Sequence, residues 1–429
     1  MTRCWQALVP LLFFATAGYA QLPVRIEGLA RTQVQWLAAQ MPGVTATEDG
    51  TALRYDAPPA AELTVDLADL RQRVVNLPAV AAAAWRIDSA AGRPAGLTLT
   101  VEEARTLFPL FDLGGVRGNF YYLLGFNDLH FRGRGQRLTA FYQNIDGEHN
   151  YYLALANPAY RGGRWGYELE SRRYAAVEPL YFPAEVRYVY ANLSVGAGLS
   201  YTTPNRHVFR LGLGRFRERY RKEEPTATTP GPAALDLTKG LLKASHAVRR
   251  LDYFNERLSG NAHETVAQGV RTLGGGPDFL IAWHDWRRYR LVGARGNLAA
   301  RLRFGLSTNE NSPFAPFVLD SQVNIRGSGN RIDRGTAQLI LNLEYRHTAW
   351  TDYRRFAVQG VAFSDLGTWR NPGGELGDLW DERNLRHFVG AGVRLVSLRA
   401  FNALLRLDYG IDVRDRRARG AVVGFGQYF

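Results

Sequence analysis

Residues 323–335 read VNIRGSGNRIDRG, a glycine-rich segment with three arginines. It lies between two stretches of a different kind, GNLAARLRFGL (296–306) and TAQLILNLEYRH (336–347). In the first, Leu298, Ala300, Leu302, Phe304 and Leu306 share one face, and Asn297, Arg301 and Arg303 share the other. In the second, Ala337, Leu339, Leu341, Leu343 and Tyr345 oppose Gln338, Asn342, Glu344 and Arg346. The period of two is that of a strand. NALLRLDYGIDV (402–413) repeats it, with Leu405, Leu407 and Tyr409 against Arg406, Asp408 and Asp412. Charges at alternate positions cannot face a dry core without partners. They can face a wet barrel lumen while the apolar face meets lipid. A β-sandwich with its polar face in bulk water has the same period, so alternation leaves both folds open.

The start of the chain narrows the choice. MTRCWQALVPLLFFATAGYA (1–20) has one arginine, an apolar run and a small-residue end. It reads as a signal peptide cleaved after Ala20, and the run is short for a membrane helix. The single cysteine, Cys4, lies within it, so the remainder has no disulfide framework and no cysteine metal site. The formal net charge of +13 could mean nucleic acid. In an exported chain it points instead to anionic lipid head groups, acidic clients or a basic pore interior. No later run of about 18 apolar residues offers a helical span. Aromatics make up 12% of the chain and 44 glycines are spread along it. Export, aromatics and no apolar helix suggest a transmembrane β-barrel.

Residues 21–104 differ from the rest. TQVQWLAAQM places Val34, Leu37 and Met41 on one helical face, with Thr32 as the cap. DLADLRQRVVNL repeats the pattern at Leu67, Leu70, Val74 and Leu77, with Asp66 as the cap. Short strands flank them: VRIEG before, AAAWRID and GLTLTVEE after. The expected order is strand, helix, helix, strand, strand, a small α+β module. SAAGRPAG is its hairpin turn.

From 105 to 429 the helical period is gone, and about sixteen strand-like runs follow, an even number as bacterial barrels require. Both ends of the barrel then lie on one side, with the α+β module. EEPTATTPGPAALDLTKG and the 323–335 segment fall at the opposite, external side. The chain ends AVVGFGQYF, in which Val423, Phe425 and Phe429 are expected on the membrane face of the last strand.

This layout resembles the BamA/TamA superfamily of outer-membrane assembly proteins and secretion transporters, in which periplasmic POTRA domains precede a sixteen-stranded barrel. Residues 22–103 are similar to a single POTRA domain, closing with LTLTVEE. GFNDLHFRGRGQRL resembles the family's early Asn-Leu-x-Gly-x-Gly segment, with Asp128 between Asn127 and Leu129 and Arg132 before Gly133. IRGSGN resembles the Val-Arg-Gly-Phe/Tyr motif at the tip of the sixth external loop. Arg326 and Gly327 match, Ile325 is a mild change, and Ser328 replaces the usual aromatic. FSDLGTW resembles a Phe-x-Asp-x-Gly segment, with Asp365 as its acid, and LNLEYR puts Glu344 where the family often has one.

The resemblance implies that the loop around 309–334 folds back into the lumen and that Arg326 pairs there with Asp365 and Glu344. A guanidinium can bind a carboxylate bidentately, which lysine cannot. Gly327 and Gly329 would let the backbone approach the wall. Arg331 and Arg334 are expected to be solvated.

Catalytic signatures are missing. HETVA starts like a zinc-protease motif but has Ala267 where the second histidine belongs, and there is no nucleophile elbow or phosphate loop. The expectation is no enzyme, no metal and no cofactor. The resemblance implies insertion or translocation of client polypeptides at the outer membrane of a Gram-negative bacterium. The POTRA-like domain would lie in the periplasm, with membrane lipids, clients and accessory periplasmic proteins as partners and no nucleic acid. A dedicated secretion transporter for one partner protein, or a passive or structural channel, remain alternatives.

Overall fold

A computed structural model describes residues 20–429 apart from 48–51, 117–118, 146, 181–184, 224–230, 310–313, 321–323, 329–332 and 401–402. The segment read as a signal peptide therefore lies outside the described residues, except for Ala20, which opens the first strand.

The N-terminal domain comprises β1 (Ala20–Glu27), α1 (Val34–Ala38), β2 (Val44–Ala46), β3 (Leu53–Ala57), α2 (Ala60–Val75), β4 (Val80–Ala90) and β5 (Arg93–Glu103). Its five-stranded sheet runs β2-β3-β1-β5-β4. Leu37, Leu67, Leu70 and Val74 from the helices, with Met41 just after α1, pack on Tyr55, Leu97 and Leu99 of the sheet. Burying these apolar side chains holds the layers together.

Three expectations change here. The helices are not consecutive, because the β2–β3 hairpin stands between them; LRYDA buries Leu53, Tyr55 and Ala57 at alternate positions. Helix α2 starts behind Pro59, so Asp66 sits inside it and accepts the Tyr55 hydroxyl instead of capping. Gln33, not Thr32, is the residue before α1, and it makes no side-chain cap. The hairpin turn of SAAGRPAG centres on Ala91 and Gly92, with φ of 51° and 75°, the positive pair that a tight two-residue turn needs.

The second domain is built from β6 (Leu107–Val116), β7 (Asn119–Phe131), β8 (Gln136–Ile145), β9 (Glu148–Asn157), β10 (Trp165–Leu180), β11 (Val186–Thr202), β12 (His207–Lys222), β13 (Ala234–Phe254), β14 (Arg257–Leu273), β15 (Phe279–Val292) and β16 (Gly296–Ser307). After the loop hairpin β17 (Phe317–Leu319) and β18 (Asp333–Gly335) come β19 (Ala337–Thr351), β20 (Phe356–Arg370), β21 (Leu385–Ser397), β22 (Leu404–Asp412) and β23 (Arg419–Phe425). Sixteen of these form one sheet in sequential order, from β6 to β23 without β17 and β18. Leu298, Leu302 and Phe304 of β16 are exposed while Asn297 and Arg301 are buried; Leu405 and Leu407 of β22 are exposed while Arg406 and Asp408 are buried. Apolar side chains therefore point out and charged ones in, the pattern of a nearly closed transmembrane barrel and not of a sandwich. Among the described residues no helix is long and apolar enough to cross a membrane.

The barrel closes without a ladder. Among the described residues no backbone pairing joins β23 to β6, the two ends of the sheet. They meet through side chains: the rings of Phe111 and Phe425 lie 5.2 Å apart, edge to face.

The last strand also departs from expectation. Val423 and Phe425 are exposed on its outer face, but β23 ends at Phe425. Gly426 takes a φ of 79°, which reverses the chain. Phe429 lies beyond the strand, buried with Tyr428 against Tyr289 and Ala299, not on the membrane face.

Candidate functional site in the barrel lumen

The loop between β16 and β19 enters the barrel. Its tip is seated by shape as well as by charge. Ile325 is buried against Leu319, Ile340, Trp369 and Phe388. Gly367 on β20 leaves room for it, since a Cβ there would lie 2.7 Å from Ile325 Cδ1. Gly327 adopts a φ of 91°, and a Cβ on it would come within 2.6 Å of Gly410 Cα on β22. Backbone touches backbone at this point, and only glycine permits both the torsion and the distance.

Arg326, fully buried, is held from three strands. Its Nε and Nη2 donate to the two oxygens of Asp365 at 2.8 and 3.0 Å, and its backbone N–H donates to Asp365 Oδ2 at 3.0 Å. Nη1 donates to Glu344 and lies 3.8 Å from Asp408 Oδ2. Asn342 donates to Asp365 Oδ1 at 2.9 Å and to the carbonyl of Asn324 at 2.8 Å, bracing acid and loop together. Three more arginines complete the cluster. Arg346 Nε donates to Glu344 at 2.5 Å, Arg394 Nη1 to Asp408 at 2.6 Å, and Arg406 Nη1 to Asp408 at 3.4 Å. A guanidinium buried without such acceptors would carry a desolvation penalty of several kcal/mol. Aromatic faces cover it as well: the Arg326 guanidinium carbon is 3.8 Å from the Phe363 ring centre and 4.5 Å from that of Tyr428.

The sequence-expected residues Ile325, Arg326, Gly327, Asp365 and Glu344 thus converge. Ser328 follows them as a partly buried hydroxyl; Phe363 and Tyr428 supply the aromatic contact that a side chain at 328 does not. Asp408, Arg346, Arg394 and Arg406 were not singled out beforehand. Alternation had put all but Arg394 on the polar face, without saying which charges would meet. Tyr428 had no signal, because its position depends on the turn at Gly426. Arg334, expected to be solvated, is partly buried and paired with Glu178 of β10 across the lumen. Glu178 needs a cation at this depth, and Arg334 on β18 is within reach. Arg331 and Gly329 lie outside the described residues. Beside the loop remains a cavity of about 1110 Å³, with Tyr190, Glu218, Tyr220 and Arg334 on its wall.

The α+β domain is docked against the mouth at the chain-terminal end. Gly135 N–H donates to His130 Nδ1 at 2.9 Å, which places the ring proton on Nε2, 3.1 Å from the Thr32 hydroxyl. Trp36 packs edge-on against the same ring. Thr32 and Arg31 in turn donate backbone N–H groups to Glu103 at 2.7 and 3.1 Å. Burial pushes the Glu103 carboxyl up, but these donors outweigh it and hold the group below its ordinary value. At a second point Asn76 donates to Asp252 at 3.1 Å and accepts from Tyr253 N–H at 3.2 Å. The turns after β7 and β13 are well separated around the rim, so the domain straddles the opening.

No protein-family model matches this sequence, and no curated protein matches it. Solved structures do. BamA from Haemophilus ducreyi lacking POTRA domains 1–3 is 13% identical and covers 94% of this chain and 83% of its own, with a TM-score of 0.52. CdiB from Acinetobacter baumannii, at 13% identity, covers 95% of this chain and 73% of its own, with a TM-score of 0.56. For CdiB from Escherichia coli the values are 13%, 93% and 74%, with a TM-score of 0.59. Together with the strand count and the α+β domain ahead of the barrel, these likenesses establish the fold as a sixteen-stranded barrel like those of BamA and CdiB.

Proposed function

We propose that this protein lies in the outer membrane of a Gram-negative bacterium and moves client polypeptides into or across it, with the POTRA-like domain in the periplasm. One observation carries the reading: the sheet is laddered from β6 to β23, and its two ends meet only through side chains among the described residues. Unpaired backbone groups facing lipid cost several kcal/mol each. A seam of this kind lowers its free energy when a client strand pairs with it.

The POTRA-like domain has a matching edge. β4 pairs with β5 on one side and ends the sheet on the other. A client strand could add to this edge by main-chain hydrogen bonds before transfer to the seam. The work is steric and hydrogen-bonding, with no covalent step. Passage through the lumen, as a dedicated secretion transporter would use, draws on the cavity of about 1110 Å³ beside the inward loop.

The test is photo-crosslinking in cells from Val423 on β23, from Phe108 on β6 and from Ala84 on β4. Recovery of many nascent barrel proteins supports insertion. Recovery of one exported protein supports the dedicated transporter. Recovery of none, with ion conductance intact, would leave a passive channel and overturn the proposal.

A further inference from the structure

Strand β12 changes character along its outward face. Phe209, Leu211 and Leu213 are exposed and apolar, as a lipid-facing strand requires. Arg215, Arg217, Arg219 and Arg221 then occupy the next four outward positions, all exposed. The change comes toward the end remote from the α+β domain. Arg217 and Arg219 share Asp236 of β13 at 2.7 and 3.2 Å. Among the described residues no acid pairs with Arg215.

The register makes Arg215 part of a site. It lies opposite Gly240 of β13, and Gly240 lies opposite Arg271 of β14. Two exposed arginines therefore flank a position with no side chain, two strand spacings or about 10 Å apart. A Cβ on Gly240 would meet nothing within 4 Å. One row further into the apolar band, Leu213, Leu242, Gly269 and Leu280 stand in register on β12 to β15. The missing side chains at Gly240 and Gly269 leave an outward groove of about 580 Å³, with Leu213, Leu242 and Leu280 around it and Arg271 at its head. One carboxylate lines it, Asp278, and it accepts the Thr272 N–H at 3.0 Å.

We propose that this groove binds a phosphate-bearing lipid of the outer leaflet. An acyl chain fills the leucine-walled groove, and the head-group phosphate lies between Arg215 and Arg271. Charge and place both select this occupant. Guanidinium forks suit phosphate oxygens, and at the edge of an apolar band the anion available to them is a head group. A soluble acidic partner would leave the apolar half of the groove unfilled. The inference rests on the barrel crossing the outer membrane with the α+β domain in the periplasm; its readout, lipid retention, is independent of client crosslinking, so either proposal can fail alone.

The experiment is native mass spectrometry of the full-length protein, loaded with bis-phosphorylated lipid A and stripped by stepwise activation. Lipid A is expected to stay bound where phosphatidylcholine leaves. The double variant Arg215→Gln/Arg271→Gln is expected to hold it about tenfold more weakly, the equivalent of about 1.4 kcal/mol. Gly240→Leu, which fills the groove and keeps both charges, is expected to lose retention as well. Both substitutions lie on the outer surface, and the heat-resistant folded band on a gel checks that the barrel is intact. Equal retention of lipid A by wild type and both variants would overturn the proposal. So would displacement of lipid A by equimolar inorganic phosphate, which would mark a plain anion site.

Discussion

Tyr428, beyond the end of the last barrel strand, and Phe363 on β20 both set their rings against the guanidinium of Arg326 at the tip of the inward loop, 4.5 and 3.8 Å from its carbon. Two sequence-distant parts of the barrel domain, the loop tip and the C-terminal tail, are joined in the lumen through the Tyr428 side chain. Arg406 lies 4.8 Å from the same tyrosine ring, so the tail also covers the wall of β22.

Removing the guanidinium takes away the bidentate partner of Asp365 and one of the cations around Glu344 and Asp408. Arg326→Ala is expected to destabilise the barrel by about 3–5 kcal/mol, the usual cost of breaking a buried ion pair from one side. Arg326→Lys should recover little, because an ammonium cannot satisfy both Asp365 oxygens and Glu344 together. The temperature at which the folded band disappears on a gel measures both. Heat resistance equal to wild type would sink the clamp.

Gly327→Ala attacks the same contact sterically. The positive φ and the approach to Gly410 together are expected to cost about 1–3 kcal/mol. Gly410→Ala should cost a similar amount with no change in its own torsion demand. Limited proteolysis in the 309–334 loop reads the result: both variants should be cut faster than wild type. Protection equal to wild type would show that the loop does not lie on β22.

Replacing the aromatic cover should have a smaller effect. Tyr428→Leu keeps bulk but loses the cation–π contact, at about 1–2 kcal/mol, whereas Tyr428→Phe is expected to keep most of it. Denaturation midpoints of the two variants provide the comparison. Equal loss in both would assign the effect to the hydroxyl instead of the ring.

Glu103 sets a pH dependence at the domain junction. Despite burial, its folded pKa lies below its ordinary value, held there by the backbone and side-chain donors of Thr32 and Arg31. The stabilisation it brings is therefore complete above that value and is lost as the pH falls through the depressed folded pKa. Exchange protection of the Arg31 and Thr32 amides should hold at neutral pH and fall only in acid, and Glu103→Gln should flatten the profile. Protection that does not change with pH would contradict this.

How much of this was legible in the sequence follows from where each interaction is encoded. The barrel showed in local period: Leu298 to Leu306 and Leu405 to Tyr409 alternate because one face meets lipid. The pairing of Arg326 with Asp365 and Glu344 showed only through resemblance, since nothing in residue spacing brings positions 326, 344 and 365 together. The β2–β3 hairpin was missed because strands of three and five residues carry little periodic signal. Phe429 was misplaced because one backbone torsion, at Gly426, decides whether the tail continues the strand or enters the lumen.

The seam between β6 and β23 is where the functional reading can be struck most directly. Cysteines replacing Phe111 and Phe425, bridged by a short bis-thiol reagent in cells, would hold the two strands together while a photo-crosslinker at Val423 reports clients. The expected result is recovery of client polypeptides from the unbridged protein and their loss once the bridge forms. Undiminished recovery from the bridged protein would contradict a seam that opens to receive them.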